Sequence, residues 1–62
     1  MQALEKKVLV VEDTALLTML YRNVLGRAGH DVTVATTLAE ARAELEARNF
    51  ALVLLDLQLP DG

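Results

Sequence analysis

No cysteine occurs in this sequence, and with it goes the disulfide framework that holds many chains of its size together. A structural zinc site is excluded on the same grounds, because a single histidine with no thiolate cannot assemble four ligands. There is also no excess of positive charge. Six basic residues stand against nine acidic ones, a formal net charge of -3. That balance argues against a non-specific nucleic-acid surface or an anionic membrane face, so no direct nucleic-acid binding is expected. Long hydrophobic runs are missing too. Val8 to Val11 and Ala51 to Leu55 fall far short of the roughly 20 apolar residues a membrane helix needs. Met1 to Lys7 lacks the apolar centre of a signal peptide, and the expected location is cytoplasmic.

What is present is aliphatic. Of the 62 residues, 53% are hydrophobic although only two are aromatic, which sets the chain apart from the polar composition of disordered segments. A chain this short buries only about 60% of its unfolded surface on folding. Its stability is expected to lean on neighbouring surfaces.

Val8-Leu9-Val10-Val11 is a short continuous apolar run, rich in β-branched residues, that Glu12-Asp13 end abruptly. Such a run reads as a strand covered on both faces, near residues 7–12. Leu17, Leu20, Val24 and Ala28 follow at helical spacing with Arg22, Asn23 and Arg27 off the stripe, predicting an amphipathic helix near 14–28. Thr14 or Asp13 can cap it, and Gly29 stands where a left-handed residue closes helices. Val32 to Ala35 reads as a second strand. Thr37-Leu38-Ala39-Glu40 fits a capping box opening a second helix near 38–48, with Leu38, Ala41, Leu45 and the stem of Arg48 inward. Ala51 to Leu55, ending in Asp56, is the third strand, near 51–56. The order β-α-β-α-β with short loops implies parallel strands, right-handed crossovers and helices on the sheet faces.

In an open parallel sheet, ligands collect beyond the carboxyl ends of the strands, where connections diverge to opposite faces. Glu12, Asp13 and Asp56 all fall at such ends. If the first and third strands are neighbours, three carboxylates converge and require a cation; an all-oxygen set without Cys or His suits Mg²⁺. Each piece has a plainer reading. An acidic pair before a helix is commonly a cap favoured by the helix dipole, and an Asp entering a Pro turn is commonly turn chemistry. The conjunction at the ends of the two most apolar strands favours the shared site. His30, between Gly29 and Asp31, reads as a solvated turn residue rather than a ligand, Tyr21 as packing, and the scattered arginines as solvated helix faces.

Val8-Leu9-Val10-Val11-Glu12-Asp13 and Leu54-Leu55-Asp56-Leu57-Gln58-Leu59-Pro60 resemble the two N-terminal motifs of response-regulator receiver domains, and the spacing between them agrees. The resemblance covers essentially the whole chain. It implies a flavodoxin-like, CheY-like α/β fold of order 2-1-3-4-5, of which this chain holds a truncated βαβαβ unit with order 2-1-3, lacking strands four and five and helices three to five. It implies further that Asp56 accepts a phosphoryl group from a histidine kinase or phosphotransfer protein. Asp13 matches the direct Mg²⁺ ligand, Glu12 the acid acting through water, and Gln58 the position contributing a backbone carbonyl. The Glu12 to Ala15, Leu20 to Arg22 and Leu57 to Asp61 segments look most like receivers of σ54-dependent activators or of hybrid kinases.

The family's remaining functional residues, a Ser or Thr after strand four, an aromatic on strand five and a Lys after it, have no counterpart in these 62 residues. The expectation is a cut within the loop after the third strand, with feeble Mg²⁺ binding, impaired phosphotransfer and no output. An exposed third-strand edge then predicts a homodimer or higher oligomer. The alternative function is therefore a self-associating half-domain fragment without phosphotransfer activity. An enzyme acting on other substrates is not expected: an aspartate-nucleophile phosphatase needs a second acid two residues after Asp56, where Gln58 stands.

Overall fold

The structure, a computed structural model, describes residues 6–55. Five elements alternate along it: β1 (Lys7–Val11), α1 (Ala15–Arg27), β2 (Asp31–Ala35), α2 (Leu38–Ala47) and β3 (Leu52–Leu55). The three strands form one parallel sheet of order β2-β1-β3, so the first strand is central and the two apolar strands are neighbours. This is the βαβαβ arrangement of the flavodoxin-like class.

The central position explains the apolar run of β1. With a strand on either side and helices above and below, Val8, Leu9, Val10 and Val11 are each at most 2% exposed. Fully burying such side chains contributes roughly 1.5 to 3 kcal/mol apiece. Alternation divides them between faces. Leu9 and Val11 join Ala35 and Ala41 in one core cluster, with Leu38 and Phe50 packed against it. Ala41 and Leu38 belong to α2, which therefore covers the Leu9 face. The chain steps from β1 to β2 and then back across β1 to β3, and two right-handed crossovers in opposite directions put their helices on opposite faces. That leaves the Val8 and Val10 face to α1.

The helix ends show how local chemistry sets the lengths. Thr37 caps α2, its side-chain oxygen accepting the Glu40 N–H at 3.1 Å. Glu40 Oε1 in turn accepts from the N–H and hydroxyl of Thr36, at 2.7 and 2.8 Å, so the reciprocal arm of the capping box reaches the residue before the cap. Thr14 is the N-cap of α1 by backbone conformation, but its side chain makes no cap hydrogen bond. At the far end Gly29, with φ of 91°, turns the chain. There the His30 N–H donates to Leu25 O and the Gly29 N–H to Gly26 O, the paired bonds of a Schellman motif.

Three expectations need correction. Leu45 and the stem of Arg48 are not inward on α2: Leu45 is 49% exposed, and Arg48 lies beyond the last helical residue, exposed, its Nε 3.2 Å from Glu44 Oε1. The stripe Leu17, Leu20 and Val24 is not the face that α1 buries; these residues are 38%, 51% and 55% exposed, and no α1 residue is fully buried. The half-buried positions are Thr18, Tyr21 and Leu25, one residue further round. Helical spacing locates a broad apolar arc, and the seat of α1 beside β2 selects which part of the arc meets the sheet. His30 is not a solvated turn residue. It is half-buried in the Schellman turn, and its Nδ1 is buried without a hydrogen-bond partner among the described residues.

β3 is the least covered strand. In register with β1, Leu52 and Leu54 lie on the Val8 face, and Val53 and Leu55 on the Leu9 face. Leu52, Val53 and Leu55 remain 49%, 41% and 53% exposed. Val53 and Leu55, with Val11, Leu38, Ala41 and Leu45, line an apolar groove of about 270 Å³ beside α2.

Candidate functional site at the carboxyl end of the sheet

All three strands run the same way, so their carboxyl ends share one edge. Val11 is the register partner of Ala35 on one side and of Leu55 on the other. The residues that follow Val11 are Glu12 and Asp13, and the residue that follows Leu55 is Asp56. Glu12 extends the pairing beyond the strand, its N–H donating to Ala35 O at 2.9 Å.

Glu12 is the only charged residue buried among the described residues, at 5% exposure. A carboxylate so placed requires hydrogen bonds to its charged form. One is supplied locally: the Thr14 N–H donates to Glu12 Oε2 at 3.2 Å. Asp13, next along the chain, is exposed. The pair therefore presents one acid held within the fold and one open to solvent.

Glu12 and Asp13 at the end of β1, with Glu40 in the first turn of α2, are the acids near this edge among the described residues, where no group of three potential ligands is assembled. Asp56 and Gln58 lie outside the described residues. His30 precedes β2 whereas the acids follow β1, and in a parallel sheet those are opposite edges. It is no ligand for this site.

Sequence reasoning missed the Thr36–Glu40 interaction. Thr36 follows Ala35, whose carbonyl holds the Glu12 amide, so this contact tethers the start of α2 beside the acid-bearing edge. The signal was a second threonine ahead of the capping residue, which places a hydroxyl and an amide four positions from Glu40.

Residues 8–62 match the response regulator receiver domain. The chain belongs to that family. The receiver sequence is 44% identical over 52 residues to the luminescence regulatory protein LuxO of Vibrio campbellii, covering 84% of this chain and 12% of that protein. It is 44% identical over 54 residues to the aerobic respiration control sensor protein ArcB of Escherichia coli K12, covering 87% of this chain and 7% of ArcB. The sensor histidine kinase AruS of Pseudomonas aeruginosa is 43% identical over 54 residues, again 87% of this chain and 5% of that protein. The chain thus spans about a tenth or less of the length of these curated relatives. No solved structure matches it significantly. No helix among the described residues is long and apolar enough to cross a membrane.

Proposed function

We propose that this receiver domain takes a phosphoryl group from a phosphohistidine, carried by a histidine kinase or a phosphotransfer protein, onto Asp56. The observation that carries the reading is the register of the two apolar strands. β1 and β3 are adjacent and parallel, and their last partners, Val11 and Leu55, lead directly into Glu12-Asp13 and Asp56. In the transfer, a carboxylate oxygen of Asp56 forms a bond to phosphorus as the phosphorus–nitrogen bond to the donor imidazole breaks. The bonding pair leaves with that ring, which keeps a proton. The chain acts on its own aspartate and turns over no other substrate.

The donor set suits Mg²⁺: carboxylate and carbonyl oxygens, with no sulfur and no imidazole at this edge. Glu12, Asp13, Asp56 and the Gln58 backbone carbonyl would hold it, with Glu12 acting through water. The ion, when bound, offsets negative charge between the acceptor and the incoming phosphoryl oxygens. Glu12 contributes a buried, backbone-anchored acid, and Asp13 an exposed one that a hydrated cation can reach.

The test is incubation with Mg²⁺ and a small-molecule phosphodonor, read by intact mass. The expected result is a weak, partial gain of one phosphoryl group, in keeping with impaired transfer in these 62 residues, that disappears in Asp56→Ala and on chelation. Modification that persists in Asp56→Ala, or that ignores chelation, overturns the reading.

A second reading concerns assembly, and the exposure of Leu52, Val53 and Leu55 favours it. β3 pairs with β1 among the described residues, and a strand edge that has no further partner presents backbone groups that a second chain can pair. A second copy pairing there about a two-fold axis would extend the sheet and cover apolar surface.

A further inference from the structure

Glu12 differs from an ordinary helix-start acid in being buried, and its carboxylate has one identified anchor. Its own peptide N–H is fixed to Ala35 O, and its Oε2 accepts the Thr14 N–H at 3.2 Å. The Thr14 side chain takes no part in capping α1. We infer that the Thr14 peptide N–H is a positioning group: it holds Oε2 of Glu12 and thereby fixes the direction in which the other carboxylate oxygen faces the cation's water shell.

The inference rests on the metal reading of this edge but assigns a role to an atom which that reading leaves unused. An acid acting through water gains from orientation, because a carboxylate free to rotate must be ordered each time the hydrated cation binds. Groups that orient a ligand from behind are worth about 10- to 100-fold in metal affinity when removed. Here the group belongs to the backbone, so the identity of the side chain at position 14 should matter little and the presence of an N–H should matter much.

Proline separates the two. It deletes the N–H while keeping the Thr14 carbonyl, which accepts the Thr18 N–H at 3.0 Å in the first turn of α1. The φ of -84° at Thr14 lies near the range proline adopts. Alanine deletes the hydroxyl and keeps the N–H. The experiment is Mg²⁺ titration of the intact polypeptide and of its Thr14→Ala and Thr14→Pro variants, followed by amide chemical shifts, with circular dichroism as the check on folding. Thr14→Ala should bind as the unsubstituted chain does, and Thr14→Pro about tenfold more weakly.

A metal-free readout keeps the inference separate from the metal reading. The Thr14 amide proton should lie downfield in the unsubstituted chain and move upfield in Glu12→Ala, where no carboxylate accepts it. Failure of the unsubstituted chain to bind Mg²⁺ would overturn the metal reading, and with it the cation-facing role of Glu12. Equal binding by Thr14→Pro, equal weakening by Thr14→Ala, or a Thr14 amide proton unmoved by Glu12→Ala would each overturn the positioning role. Should Thr14→Pro fail to fold, an amide-to-ester replacement at position 14, which removes the N–H alone, takes its place in the Mg²⁺ titration, and binding equal to that of the unsubstituted chain overturns the positioning role.

Discussion

Leu9 on the central strand and Ala41 on α2 meet in one buried cluster, Leu9 with no exposed surface and Ala41 with 5%. Every other buried side chain of that cluster, Val11 and Ala35, belongs to the residues leading into the acid-bearing edge. The packing that stabilises the sheet is therefore also the packing that fixes where Glu12 and Asp13 emerge. Loosening the cluster should disturb the site before it disturbs the remote edge at His30.

Leu9→Ala is expected to destabilise the fold by about 2 to 5 kcal/mol, since it removes a fully buried side chain between two strands. Against a total that is typically about 5 to 15 kcal/mol for a domain, that is a large fraction. Leu16→Ala, at a position 73% exposed, should stay within about 0.5 kcal/mol of the unsubstituted chain. Urea denaturation followed by circular dichroism measures both; similar losses at the two positions would contradict the packing described.

Two glycines near the end of α1 should respond to alanine with opposite signs. Neither position crowds an added Cβ, so backbone conformation decides. Gly26 lies inside the helix, where alanine gains about 0.8 to 1 kcal/mol of helix propensity. Gly29, with φ of 91°, lies where a Cβ strains the backbone by about 1 to 2 kcal/mol. Thermal melts should rise for Gly26→Ala and fall for Gly29→Ala.

The threonines at the two helix starts form a second contrast. Thr37→Ala removes the oxygen that accepts the Glu40 N–H and should lower stability by about 1 kcal/mol. Thr14→Ala removes a hydroxyl that caps nothing, so its effect should be no more than about 0.5 kcal/mol. Equal losses in a denaturant titration would mean that the Thr14 hydroxyl has a partner in solution.

The strands and their adjacency were legible because β-branched apolar runs and abrupt acidic ends leave little choice: Val8 to Val11 has the signature of a strand covered on both faces, and only the central position provides that. The acids at positions 12 and 13 followed from the same reading. The seat of α1 was not legible. Leu17, Leu20 and Val24 fall on the same broad arc as Thr18, Tyr21 and Leu25, and only tertiary placement over β2 decides which residues meet the sheet. Nor could spacing show that Glu40 reaches Thr36, or that the burial of His30 follows from a Schellman turn, because each depends on dihedral angles that residue identity leaves open. The anchor between Thr14 and Glu12 is a backbone donor, which no side-chain pattern announces.

Self-association is the remaining test, and β3 is where it is expected. Leu52, Val53 and Leu55 are each at least 41% exposed on an uncharged strand paired on one side among the described residues. A lysine on such an edge opposes further pairing, because its ammonium would have to be covered by the apolar sheet face that a second copy brings against it. The 62-residue polypeptide should therefore elute in size-exclusion chromatography with light scattering as a dimer or larger species at micromolar concentration, and Val53→Lys should shift it toward monomer. Since Val53 also borders the groove beside α2, the substitution must leave the circular dichroism spectrum unchanged for the shift to be read as an edge effect. Leu16→Lys, on the outward side of α1, serves as the control for added charge alone and should leave the oligomer intact. A folded monomer at these concentrations in the unsubstituted chain would remove the assembly reading and leave phosphotransfer at Asp56 untouched.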